Sequence, residues 1–235
     1  MDIDRYEDAL FLLDKFLEIF PYNSDYWLKK GIVLNGLFQF GEALLAYEQS
    51  LSLNPNDIET LIDKSATEEN LGLYDHSQES LEKVLQLDPE NDDALFSLGL
   101  LFQRRAHLKT AIEYFNKVVA RDPEYSEVYY ELGFCYENSA QLDKALESYD
   151  KFLELDPYNP NGWYNRGIVL VKMEKLELGI NSYDLALSIR ENFSSAWFNK
   201  GNALADLGRL QEAIACFRKS FEIDKHDEAA VYNIA

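Results

Sequence analysis

The residue types that most often do chemistry are scattered along this 235-residue chain. His76, His107 and His226 stand far apart, and no two of them have metal-ligand spacing. Neither Cys135 nor Cys216 has a neighbouring histidine to take its proton, and no glycine-rich loop is built to cradle phosphate. With 42 acidic residues, adjacent carboxylates are expected by chance and mark no acid–base pair. These residues predict no enzyme, no metal site and no cofactor, and both cysteines read as small buried hydrophobes rather than a disulfide. A different chemistry does recur. Asn165 and Asn199 lie 34 residues apart, in Trp-Tyr-Asn-Arg-Gly and Trp-Phe-Asn-Lys-Gly. An amide both donates and accepts hydrogen bonds, so a row of amides can hold a peptide backbone without reading its side chains.

The same step of 34 separates Pro21, Pro55, Pro89, Pro123 and Pro157. A fixed period of this length excludes one irregular core and requires stacked copies of one supersecondary unit. With proline at position 32 the first complete unit begins at Ser24, and six units fit: 24–57, 58–91, 92–125, 126–159, 160–193 and 194–227. Position 4 reads Trp27, Leu61, Leu95, Tyr129, Trp163, Trp197, and position 8 reads Gly31, Ser65, Gly99, Gly133, Gly167, Gly201. Position 20 is small in every unit, whereas position 24 is large: Tyr47, Leu81, Phe115, Tyr149, Tyr183, Phe217. Small and large residues at fixed places are what a packed helix pair needs, because backbones approach only where side chains are short. Glu191 and Lys225 replace the proline after the fifth and sixth units, which predicts relaxed turns there.

The pattern of Trp, Leu-Gly, Tyr, Ala, Phe and Pro resembles the tetratricopeptide repeat family, and the resemblance covers nearly the whole chain. It implies an all-α fold, a right-handed superhelical solenoid of antiparallel helix pairs, here read as a single array over 1–235. Residues 1–23 then supply the second helix of a partial repeat and 228–235 the start of a further one, as in a segment of a longer array. Phe152 departs from the family pattern, which keeps position 27 small.

The resemblance also implies a concave groove lined by the first helix of each repeat at positions 2, 5, 6, 9, 12 and 13. Position 5 supplies Phe96, Tyr130, Tyr164 and Phe198, and position 9 supplies Phe134 and Asn202. Position 6 supplies Asp63, Glu131, Asn165 and Asn199. The aromatics read either as packing or as a ledge for a bound segment, and the two asparagines as a backbone clamp or as solvated polar positions. Asp63, Glu69, Glu131 and Glu137 lie beyond the first helical turn, where the macrodipole would favour acids. They predict a groove acidic toward its N-terminal end, while Lys29 and Lys172 read as isolated bases. The lysine and asparagine set by which chaperone-binding members of the family hold a terminal carboxylate is missing.

The expected partner is therefore a protein or peptide, steered by basic residues. The formal charge of −20 argues against nucleic acid and anionic membranes. No apolar run approaches the ~18 residues of a membrane span, and the opening Met-Asp-Ile-Asp is unlike an export signal, which predicts a cytoplasmic protein. The leading expectation is a non-catalytic interaction scaffold. Its rivals are the substrate-recruiting segment of a larger enzyme and a subunit that self-associates through uncapped ends. Arg104 and Arg105, with His107 and Lys109, form the one dense basic cluster. The second repeat looks weakest: Glu68 stands at position 11, where other repeats carry Leu34, Phe102, Tyr136, Leu170 and Leu204, with Lys64 its candidate partner.

Overall fold

The computed structural model describes residues 3–225. Among them are thirteen α-helices and no strand, so the chain is an all-helical repeat array. The described helices fall into two compact units that divide between Arg105 and Ala106, within the third repeat. The first unit contains α1 (Ile3–Ile19), α2 (Ser24–Gly36), α3 (Phe40–Leu53), α4 (Ile58–Asn70), α5 (Tyr74–Leu87) and α6 (Asp92–Arg104). The second contains α7 (Leu108–Arg121), α8 (Ser126–Asn138), α9 (Leu142–Leu155), α10 (Pro160–Lys172), α11 (Leu176–Ile189), α12 (Ser194–Asp206) and α13 (Leu210–Ile223). In each unit a helix packs on the next one in sequence, and α10 also touches α12. His226 and the further repeat expected at 228–235 lie outside the described residues.

Each boundary has a local cause. At position 34, Asn23, Asp57, Asn91 and Asn159 cap the first helices, accepting from the N–H groups of Tyr26, Thr60, Ala94 and Gly162 at 3.1, 3.0, 3.0 and 3.3 Å. Pro160 opens α10, where a missing N–H costs little. The tryptophans at position 4 and the turns at position 32 are one device. Trp27, Trp163 and Trp197 donate through Nε1 to the carbonyls of Pro21, Pro157 and Glu191 at 2.9, 2.8 and 2.9 Å. The Tyr129 hydroxyl donates likewise to the Pro123 carbonyl at 3.2 Å. Where Leu61 cannot donate, the Pro55 carbonyl accepts from Lys83 Nζ at 2.6 Å. Glu191, expected to relax its turn, keeps the same carbonyl anchor despite the loss of proline.

Volume is exchanged between the two helices of a repeat. A Cβ added at Gly31, Gly133, Gly167 or Gly201 would meet the ring at position 24 at 2.4, 2.6, 2.5 and 2.6 Å. The second repeat carries Ser65 instead of glycine and Leu81 instead of a ring, and both are buried without conflict. Phe152 has its own compensation: Gly162 faces it, and a Cβ there would lie 2.5 Å from the Phe152 ring. Glu68 is buried, 2% exposed. It is not alone, because Lys64 Nζ pairs with Oε1 and the Ser80 hydroxyl donates to Oε2 at 2.9 Å. Lys64 also donates to Ser80 Oγ at 3.1 Å, closing a three-membered polar network between α4 and α5. At position 26, Lys15, Lys151 and Lys219 lie at the surface and pair with the acids three residues on. Such pairs contribute little to stability.

Candidate functional site

The second unit brings together most of the groove residues expected from sequence: Tyr130, Glu131 and Phe134 on α8, Tyr164 and Asn165 on α10, and Phe198, Asn199 and Asn202 on α12. Asp63 and Phe96 lie on α4 and α6 of the first unit. The position 5 rings are half-buried and wedged against their own repeat's second helix. Tyr130 meets Tyr149 and Phe152 with ring centroids 5.9 and 5.2 Å apart, Tyr164 meets Tyr183 at 6.0 Å, and Phe198 meets Phe217 at 5.6 Å. The ring bodies are therefore packing, and the exposed aromatic of the set is Phe134, 41% accessible.

The hydroxyl ends of the tyrosines do something else. Asn165 Nδ2 donates to Tyr130 Oη at 2.9 Å, and Asn199 Nδ2 donates to Tyr164 Oη at 3.0 Å. Each amide thus reaches back one repeat, over an offset of 35 residues, from position 6 to position 5. Burial raises both tyrosine hydroxyls above their ordinary range, outweighing the asparagine donors, which pull the other way. The phenols stay protonated at neutral pH. A phenol that accepts an amide N–H still has its own proton to give, while the amide keeps a second N–H and its carbonyl. Two such pairs in succession form a neutral row of donors and acceptors.

Ion pairs follow the same offset. Lys172 Nζ lies 2.8 Å from Glu137 Oε1, joining position 13 of one repeat to position 12 of the one before. In the first unit Arg104 lies 3.1 Å from Glu69 Oε2 by the same rule. Lys172 is therefore not isolated, and these two groove acids are largely neutralised. Arg105 pairs with Asp75 at 3.0 Å, so both arginines of the basic cluster are engaged. Burial raises the Glu69 carboxyl, with Arg104 and the Ser77 hydroxyl opposing it. Asp63 is raised first by burial and then by Glu59 and Asp57.

Two residues of the site had no signal in the repeat pattern. Phe193 stands where other repeats have a capping side chain, and its ring packs 4.7 Å from Tyr164 with the Arg190 guanidinium 3.6 Å from its centre. The Ser195 hydroxyl lies near Tyr164 and opposes the effect of burial on it. A cleft of about 240 Å³ lies beside Tyr130, where Glu127, Glu131 and Asp156 meet Phe152. Among the described residues no group of histidine, cysteine and carboxylate ligands is placed to hold a metal ion, and no helix is long and apolar enough to cross a membrane. Cys135 and Cys216 are buried and are not joined in a disulfide.

Family models described as tetratricopeptide repeat match residues 24–57, 58–91, 93–125, 126–159, 148–180 and 194–227. The chain belongs to the tetratricopeptide repeat family. No curated protein sequence matches it. Among solved structures, the MamA protein is 26% identical, with a TM-score of 0.67 over 76% of this chain and 96% of that one. YrrB, described as a tetratricopeptide repeat protein with an unusual peptide-binding site, is 22% identical, with a TM-score of 0.66 over 80% of this chain and 97% of its own. The C-terminal part of a tetratricopeptide repeat protein from Cytophaga hutchinsonii is 17% identical with a TM-score of 0.81, covering 98% and 95%. The last two likenesses concern the fold. Position by position, the family's small and large residues are those that face one another in these helix pairs.

Proposed function

We propose that this tetratricopeptide repeat array is a protein-interaction scaffold, and that the surface of α8, α10 and α12 holds an extended or helical segment of another protein. The carrying observation is the succession of Tyr130–Asn165 and Tyr164–Asn199 pairs. Each pair leaves a phenolic O–H, an amide N–H and an amide carbonyl for the polar groups of a peptide backbone. Phe134 offers exposed apolar area beside them, and Glu131 with Glu127 favours a segment carrying lysine or arginine. A tetratricopeptide repeat is generally a scaffold rather than a catalyst, and YrrB is described as having a peptide-binding site. Within the first unit, taken by itself, Asp63 and Phe96 are proposed as partner contacts.

The test uses a displayed library of peptides with and without basic residues. Basic peptides are expected to be enriched. The Asn165→Ala/Asn199→Ala double variant should weaken the selected peptide about tenfold, as loss of two polar contacts implies, with helicity unchanged. Tyr130→Phe/Tyr164→Phe keeps the rings and both amides and should weaken it less. Unchanged affinity in the double alanine variant removes the clamp.

A further inference from the structure

Three repeats share a cation that leaves the first helix on the side facing the preceding repeat's second helix. At position 7, Lys30, Arg166 and Lys200 lie 5.4, 5.7 and 5.4 Å from the tryptophan rings at position 4. The same cations pair with Asp14, Asp150 and Asp184, at position 25 of the preceding repeat. Arg166 adds a bond to the Ser182 hydroxyl at 2.8 Å. Each cation reaches from its first helix to the second helix of the preceding repeat, and Arg166 also bonds to the second helix of its own repeat, spanning the furrow between the two. The fourth repeat keeps the aromatic, as Tyr129, but has Leu132 at position 7 and Asn116 in place of the aspartate. Leu132 is buried, 3% exposed, and cannot reach across. A cleft of about 760 Å³ remains there, wholly within the second unit, between α7 and α9 over α8.

The walls of this cleft match the missing group. Tyr129 and Tyr136 supply ring faces, and Asp143 and Glu147 of α9 stand on the rim. Asp150 and Glu154, which also border it, are engaged by Arg166 and Lys151. Lys144 lies over Tyr136 at 5.3 Å, so one ring already attracts a cation. Asn116 leaves the α7 wall without the aspartate, and the acids that line the cleft and are exposed, Asp143 and Glu147, stand on the opposite wall, on α9.

We propose that this cleft receives an arginine side chain of a partner protein, held in trans where the first, fifth and sixth repeats hold a cation in cis. A guanidinium is favoured over an ammonium because it stacks flat on tyrosine and offers a fork of donors to two carboxylates and the Asn116 carbonyl. The site is distinct from the groove and does not depend on it.

The test is titration of the full chain, labelled with nitrogen-15, with N-acetylarginine N-methylamide, using the norleucine analogue as an apolar control. The arginine probe should shift the amide signals of Tyr129, Tyr136 and Glu147 saturably, and norleucine should not. Asp143→Asn/Glu147→Gln changes only rim residues and should weaken the probe about fivefold, the value of one exposed ion pair. Leu132→Arg should fill the cleft from within and abolish the response. Should that variant fail to fold, Arg166→Leu opens the equivalent furrow and should add a second set of shifts around Trp163. Equal shifts with norleucine, no localised shift, or indifference to the rim variant would overturn the proposal.

Discussion

At the scale of single residues, the most exacting arrangement is the Glu68–Lys64–Ser80 network. A carboxylate 2% exposed is tolerable only because both of its oxygens are engaged. Removing one partner leaves the other charge buried, so Lys64→Met should lower unfolding stability by about 3–5 kcal/mol, read from urea denaturation. Replacing the whole network by Lys64→Met, Glu68→Leu and Ser80→Ala restores what the first repeat carries at positions 11 and 23, in Leu34 and Ala46. That triple variant should recover wild-type stability or exceed it, because a buried ion pair rarely outperforms well-packed apolar groups. A triple variant as unstable as Lys64→Met would mean that the network fixes the α4–α5 geometry rather than merely satisfying Glu68. Leu81 facing Ser65 and this network together explain why the second repeat departs from the pattern without losing its packing.

At the scale of elements, each repeat turns between its two helices at position 15, and all six residues there have positive φ. Gly72 and Gly208 adopt 74° and 76° without penalty, whereas Phe38, Ala106, Ala140 and Glu174 sit at 61°, 60°, 57° and 60°. The left-handed region costs a residue with a Cβ roughly 1–2 kcal/mol, part of which glycine loses again as chain entropy. Ala140→Gly should therefore raise stability by about 1 kcal/mol in urea denaturation, and a decrease would show that the Ala140 methyl does more for packing than its turn costs. The turn's place was legible in sequence; its strain was not, since four repeats show no glycine there. A similar divide runs through the site. Asn165, Asn199, Tyr130 and Tyr164 stood out by their period, yet their pairing did not, because a period of 34 compares equivalent positions. Contact between neighbouring first helices runs at 35, from position 5 to 6 and from 12 to 13. Phe152 breaks the column of small residues at position 27 and Gly162 makes room for it, a compensation across helices that leaves no trace in a column of like positions.

At the scale of the whole molecule, charge acts in two opposed ways. The chain carries 42 acidic against 22 basic residues, a net −20. The cations are largely committed to local partners, as Arg104, Lys172, Arg166 and Lys200 show, so the excess negative charge acts mainly as self-repulsion in the folded state. Raising sodium chloride from about 0.02 to 0.2 M shortens the Debye length from about 20 to 7 Å, which screens distant repulsion more than the contacting pairs. The melting temperature should rise by a few degrees over this range, on the order of 1 kcal/mol of stability. Association with a basic peptide should respond in the opposite sense, its on-rate falling as the same screening removes long-range attraction. Both slopes can be measured on one preparation, by thermal unfolding and by stopped-flow binding. If salt lowered the melting temperature, attraction between local pairs would outweigh net repulsion. If the on-rate were insensitive to salt, the acidic surface would be serving solubility rather than recruitment, and the partner's basic character would lose its support.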